Sequence, residues 1–387
     1  MNRLTIGIFI DVFYPMVDGV VKVTDHQARM LSRHHDVYVF APKSKDKTYK
    51  DDFPYHVMRV VNIQVPTTDY QLALPSLDAK LNKKLKSIHF DIIHIQSPFS
   101  MGELGIRVAK KQGIPVVATL HSQYEKDFYE RTKSKTITKV MLSDIMTRLN
   151  KCDLTMTMNE GSKALFMRYG LKKEPVIIPN ATDMLLASKD EVENVKHTYG
   201  IQAVFNMVFV GRMDKIKNID FMIDVIEQLK KKTTNFHMYF IGKGAHEIIF
   251  KKRVEDLRLD DVITFIGPIY DRKALASFYQ ACDLLMFPST YDTNGLVQIE
   301  AASQYTPGIF LNDTLAASSI VDQYNGYISE HNAVLFSKKI IWILEHRNLH
   351  QDIATHAHKT LYVTWEDVNH QLEDTYTKVL KEYQQHG

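Results

Sequence analysis

Two cations and two carboxylates in the second half of the chain carry the clearest chemistry. The apolar run Phe205–Val210 ends in Gly211-Arg212-Met213-Asp214-Lys215-Ile216-Lys217-Asn218, with a helical pattern beginning near Ile219. Gly211 permits a tight turn, and Arg212 and Lys217 stand where a helix would point its first amides, a fitting cradle for a diphosphate. Further on, Asp292 and Glu300 lie eight residues apart, across Asn294, Gly295 and Leu296 and the first turns of a helix. Two carboxylates so spaced can accept hydrogen bonds from hydroxyls at both ends of an elongated ligand. The same residues also fit a solvated basic turn and two surface acids, and spacing alone leaves both readings open.

Weaker signals occupy similar places. Gly242, in Ile241-Gly242-Lys243-Gly244, and Ile266, in Phe265-Ile266-Gly267-Pro268, close other strand-like runs, where small residues let a flat base or its ribose approach the backbone. In the first half, Pro115–Leu120 delivers His121 at a strand end, where an imidazole of pKa about 6.5 can orient a sugar hydroxyl or share a proton with it. Gly19 lies in a strand-to-helix loop, Asp11–Val20, whose following helix offers amides to an anion. No Asp-x-Asp, P-loop, GxSxG or HExxH occurs, so metal-chelated diphosphate, ATP hydrolysis, esterase and zinc-protease chemistry lack their usual anchors.

Elements that could position these residues follow from periodicity. Strand-like runs at Leu4–Ile10, Val37–Ala41, Asp91–Gln96, Pro115–His121 and Val176–Ile178 alternate with helical segments, the pattern of a parallel sheet covered on both faces. It restarts after Asp183 with Phe205–Val210, His237–Ile241, Val262–Phe265, Leu284–Phe287 and Gly308–Leu311, and the chain ends in an amphipathic segment, Trp365–Tyr383. At 387 residues, 45% hydrophobic and 24% charged, the chain suits two α/β domains. Two isolated cysteines, Cys152 and Cys282, suggest neither disulfides nor a zinc site and fit a reducing cytoplasm. The opening apolar run is too short for a signal peptide or a membrane span. A net charge of +3 gives no argument for nucleic acid. Basic amphipathic segments at Lys80–Lys86 and Lys133–Lys151, the latter with Lys135, Lys139 and Arg148, read either as surface helices or as contacts to an anionic membrane or an acceptor.

Taken in order, YPMVDGV (14 to 20), TLH (119 to 121), IPNATD (178 to 183), FVGRMDKIKN (209 to 218), FIGPI (265 to 269) and YDTNGLVQIEAAS (291 to 303) resemble the family-four retaining glycosyltransferases of the GT-B fold. The resemblance implies two Rossmann-like domains with parallel sheets facing a central cleft: an acceptor-binding domain over 1–183, a donor-binding domain over 184–364, and a terminal helix, 365–387, that crosses back. It implies a nucleotide diphosphate-sugar donor, of UDP type, and a lipid or glycan acceptor such as a glycolipid or cell-envelope precursor. No cofactor or metal is required, and the protein is expected in the cytoplasm, able to lie on the inner face of the plasma membrane.

By the same resemblance Gly19 approaches the diphosphate, Arg212 and Lys217 clamp it, His121 contacts the transferred sugar, and the backbone around Ile266 receives the base. Asp292 then holds sugar hydroxyls and Glu300 the ribose. Three positions depart from the family pattern: Asp18 and Tyr305 replace glycines, and Asp292 replaces a glutamate. Those departures keep a non-catalytic partner or chaperone of another transferase in view, beside a sugar-nucleotide epimerase.

Overall fold

Short β-branched runs separated by amphipathic helices bury their apolar sides most fully as a parallel sheet between helical layers. The computed structural model describes residues 3–16, 18–64 and 71–386, and it contains that arrangement twice. Val17, within the 14 to 20 motif, lies outside the described residues.

The chain divides into two compact units, Met1–Asn180 with Trp365–Gly387, and Ala181–Thr364. The division falls three residues before the expected Asp183, because Thr182 already pairs with the far end of the second unit: its N–H donates to the Val363 carbonyl at 3.0 Å, and it bridges Thr364.

The first unit holds β1 (Thr5–Phe9), β2 (Asp36–Pro42), β3 (His56–Val60), β4 (Asn62–Gln64), β5 (Gln71–Ala73), β6 (Ile92–Ile95), β7 (Val116–Thr119), β8 (Leu154–Thr157) and β9 (Val176–Ile177). Strands β4 and β5 form a separate antiparallel pair, and the other seven make a parallel sheet in the order β3-β2-β1-β6-β7-β8-β9. The second unit holds β10 (Asn206–Val210), β11 (His237–Ile241), β12 (Ile263–Gly267), β13 (Leu284–Phe287), β14 (Gly308–Leu311) and β15 (Tyr327–Ser329), in the order β12-β11-β10-β13-β14-β15. Strands β3, β8 and β15 carry polar or mixed residues and escape a search for apolar runs; their neighbours in the sheet recruit them.

Each sheet reverses its winding once, between β1 and β6 and between β10 and β13. Ligands of open α/β sheets settle at such reversals, at the carboxyl ends of the strands. The terminal helix Trp365–His386 packs within the first unit: Trp365 stacks on His26 with ring centroids 4.8 Å apart, and Glu373 lies 3.2 Å from His35 Nε2.

Tyr305, one of the departures from the family pattern, has φ +60°, a left-handed conformation that favours glycine. Its ring stacks on His358 at 4.1 Å, which offsets part of the backbone cost. Tyr305→Ala and Tyr305→Gly both lose the stack, but only glycine relieves the backbone. The glycine variant is expected to be more stable by about 1 kcal/mol, roughly 2–4 °C in melting temperature. Equal melting curves for the two variants would contradict strain at this position.

Candidate functional site

At the reversal in the second unit, the turn after β10 meets the loop after β13. Lys217 closes a short 3-10 turn (Lys215–Lys217), Asn218 follows with φ +61°, and helix Ile219–Lys230 begins. Lys217 Nζ donates to both oxygens of Asp292, at 2.7 and 2.9 Å, and Asn218 Nδ2 donates to the Pro288 carbonyl at 3.0 Å. The Lys217 and Asp292 side chains are only 17% and 19% exposed, so each charge depends on the other for compensation. Arg212 stands apart. Its side chain is 65% exposed, with Nε 3.5 Å from an Asp214 oxygen.

Three neighbouring strand ends are tied backbone to backbone. Gly211 N–H donates to Ile241 O at 3.0 Å, Gly242 N–H to Gly267 O at 2.9 Å, and Met213 N–H to Lys243 O at 3.1 Å. A Cβ on Gly242 would fall 1.9 Å from the Gly211 carbonyl oxygen, and its φ is +136°, so only glycine fits. Pairing between β11 and β12 steps from Phe240–Phe265 to Ile241–Gly267, a bulge that takes Ile266 out of the ladder.

Asn294, Gly295 and Leu296 form the turn into helix Leu296–Ser303, which carries Glu300. Glu300 is buried. Its Oε1 accepts from Arg272 Nη1 at 2.6 Å and its Oε2 from the Tyr279 hydroxyl at 3.2 Å. Burial first, and then the Glu300 charge, push the Tyr279 hydroxyl well above its usual range, so it remains a donor. Arg272 Nη2 also reaches Asp183 at 2.6 Å.

In the first unit the reversal brings β1 and β6 together. Asp11, after β1, accepts from the Ser97 and Ser100 hydroxyls at 2.7 and 2.9 Å and from Met101 N–H at 3.0 Å. It thereby supplies the N-terminal cap that Phe99 cannot give helix Ser100–Gln112. His121, buried two residues after β7, has Nε2 2.7 Å from Gln96 Oε1. Burial lowers its pKa to about 4, so it is neutral at physiological pH. His94 lies beside it, and burial followed by the proximity of His121 brings its pKa down to about 3.

The Glycosyltransferase Family 4 model matches residues 17–184, and the Glycosyl transferases group 1 model matches residues 201–360. The chain belongs to the family 4, group 1 glycosyltransferases of the GT-B fold. An alpha-monoglucosyldiacylglycerol synthase of Acholeplasma laidlawii is 27% identical over 349 residues, covering 86% of each chain. One from Streptococcus pneumoniae is 26% identical over 340 residues, covering 85% of this chain and 76% of the relative. Among solved structures, Anabaena HepE in complex with UDP and glucose superposes with a TM-score of 0.76 at 18% identity, covering 97% of this chain and 100% of that one. Sucrose-phosphate synthase from Thermosynechococcus elongatus gives 0.77 at 18% identity, covering 98% and 100%. At such identities the solved structures speak for the fold.

Of the two cations expected at a diphosphate in this glycosyltransferase, Lys217 turns to Asp292, and Arg212 extends into solvent. One of the amides opening helix Gly19–Leu31 is taken within the chain: Asp18 is the cap, and its carboxylate accepts from Val21 N–H at 2.8 Å. In helix Lys135–Leu149 the apolar stripe is split. Ile145 and Leu149 are buried, whereas Ile137 and Met141 are exposed. Lys135 and Lys139 are exposed, but Arg148 is half-buried, 2.6 Å from Asp144 and 3.8 Å from Glu103. Helix Ala79–Ser87 turns Leu81 and Leu85 into the core, as an ordinary surface helix does.

Sequence reasoning missed Arg272, Tyr279, Gln96 and His94. Gln96 immediately follows a strand, and the rule that singled out His121 also finds it. Arg272, which opens helix Arg272–Ala281, and Tyr279 within it carry no local signal. Among the described residues no cluster of three or more histidine, cysteine or acidic residues could hold a metal, and no helix is long and apolar enough to cross a membrane.

Two of the candidate glycines, Gly19 and Gly242, make opposite demands on the fold. A Cβ on Gly19 would meet nothing within 4 Å. Gly19→Ala is therefore expected to leave the melting temperature essentially unchanged, whereas Gly242→Ala should cost well over about 2 kcal/mol. Thermal melts of the two variants check this, and a destabilised Gly19→Ala protein would mean that the fold itself requires that glycine.

Proposed function

We propose that this glycosyltransferase moves a hexosyl group, glucose in the first instance, from its UDP-sugar to a glycerol hydroxyl of a membrane lipid, with retention at the anomeric carbon. The observation that carries the donor half of this reading is the Lys217–Asp292 pair at the reversal between β10 and β13. A lysine so held can exchange a carboxylate for a diphosphate oxygen and release Asp292 to accept from sugar hydroxyls. Ile266, outside the ladder, supports backbone recognition of the base, and Glu300, fixed by Arg272 and Tyr279, supports contact with the ribose.

UDP-glucose carries its sugar in the α configuration, and both named relatives are described as forming an α product, so the same outcome here is retention. In that transfer the bond between C1 and the β-phosphate oxygen breaks with its electron pair on oxygen, and the acceptor oxygen bonds to C1. The acceptor proton passes to the departing phosphate on the same face. Lys217 and the exposed Arg212 would take up the charge developing on the leaving group, while neutral His121 would orient a sugar hydroxyl. A lipid acceptor is supported by Ile137 and Val140, 50% and 66% exposed on the helix that carries Lys135 and Lys139.

Incubation with labelled UDP-glucose and vesicles of diacylglycerol with anionic phospholipid is expected to give a lipid-extractable glucoside whose anomeric proton is α by NMR. Lys217→Ala should lower kcat about 10²–10³-fold. Full turnover in that variant would refute the donor site, and a β product would refute retention.

A further inference from the structure

His121 sits within a chain of side chains that the donor and acceptor reading does not use. Gln96 Oε1 can only accept, so the proton between it and His121, 2.7 Å apart, belongs to His121 Nε2. The Gln96 carboxamide cannot turn over freely. Its nitrogen donates to Gln27 Oε1 at 2.8 Å, on helix Gly19–Leu31. The same nitrogen lies 3.2 and 3.5 Å from the two ring nitrogens of His94, near-equal distances that place it over the ring face and off either lone pair.

His94 is itself clamped at both edges. Its Nε2 is 2.7 Å from the Thr119 hydroxyl, and its Nδ1 is 2.6 Å from the hydroxyl of Tyr376 on the terminal helix. All five partners of this arrangement are buried. Of the groups around His121 in it, only His94 and Tyr376 are titratable; Gln27, Gln96 and Thr119 carry no charge. Both titratable groups are neutral at physiological pH, His94 because burial lowers its pKa and Tyr376 because burial raises its own.

We propose that Gln96 is a positioning residue for sugar transfer: held by Gln27 and by the face of His94, which Tyr376 of the terminal helix clamps, it fixes His121 as the Nε2–H tautomer. The proposal rests on the reading that His121 meets the transferred sugar. With Nε2–H committed to Gln96, the ring plane and the Nδ1 edge have fixed directions, and the neutral form is the working one. The terminal helix thereby takes part in orienting His121 as well as in closing the fold.

Histidine labelled with ¹⁵N in the ring reads both tautomer and pKa in the full-length protein, with His121 assigned by its loss in His121→Asn. In the unmodified protein Nε2 should resonate as a protonated nitrogen at neutral pH. Gln96→Leu removes the acceptor; it should shift His121 toward the Nδ1–H tautomer and lower kcat with UDP-glucose about 10²-fold, with KM little changed. Gln96→Glu keeps the acceptor and adds a charge. It should retain the Nε2–H tautomer and raise the His121 pKa by roughly 1–3 units, and the acid limb of kcat/KM should move up with it. A His121 tautomer unmoved in Gln96→Leu, or a His121 pKa unmoved in Gln96→Glu, would overturn the proposal. If the spectra respond as expected but His121→Asn transfers sugar at the normal rate, the sugar-contact reading of His121 fails, and the positioning role with it.

Discussion

Strand order is the constraint on which the rest depends. Where a parallel sheet reverses its winding, the connections that follow two neighbouring strands leave in opposite directions, and neither fills the space at the strands' carboxyl ends. Both units place their polar machinery there. In one, Asp11 after β1 reaches Ser97 after β6, and Gln96 reaches His121. In the other, Lys217 after β10 reaches Asp292 after β13, and Asn218 reaches the Pro288 carbonyl. Polar groups 75 or more residues apart in sequence become hydrogen-bonded because the topology leaves them facing one another.

Buried charge in such a place has to be compensated, and the two units solve this differently. The second unit uses ion pairs: Lys217 with Asp292, and Glu300 with Arg272 supported by Tyr279. Each pair offsets the desolvation of its partner while no other counter-charge is present. The first unit surrounds His121 with neutral groups, while the Asp11 carboxylate at the same reversal is met by the Ser97 and Ser100 hydroxyls and Met101 N–H. Its imidazoles are neutral, and amide and hydroxyl groups complete their hydrogen bonds.

The substitutions that set this chain apart from its family pattern each have a local physical account. Asp18 takes the helix-capping position, so its carboxylate satisfies Val21 N–H and need not confront a phosphate. Tyr305 tolerates a left-handed backbone with its ring on His358. Asp292, one methylene shorter than glutamate, is met by a lysine whose long side chain spans the difference.

By itself, the sequence determined the fold class, the restart of the α/β pattern near Asp183, and most strands rich in β-branched residues, since period and composition are local properties that survive without tertiary contacts. It also singled out the residues that follow strands, because such a residue is recognisable from the strand alone. Partners were decided only by the tertiary structure. No local pattern tells that Lys217 turns to Asp292 and not to Arg212's side, that Glu300 is claimed by Arg272 from the start of another helix, or that Tyr376 in the last helix clamps His94 beside the strand that delivers His121. Strands β3, β8 and β15 were invisible for the same reason: mixed residues become strands when an ordered neighbour offers its unpaired edge, and the neighbour's place is a property of the whole sheet.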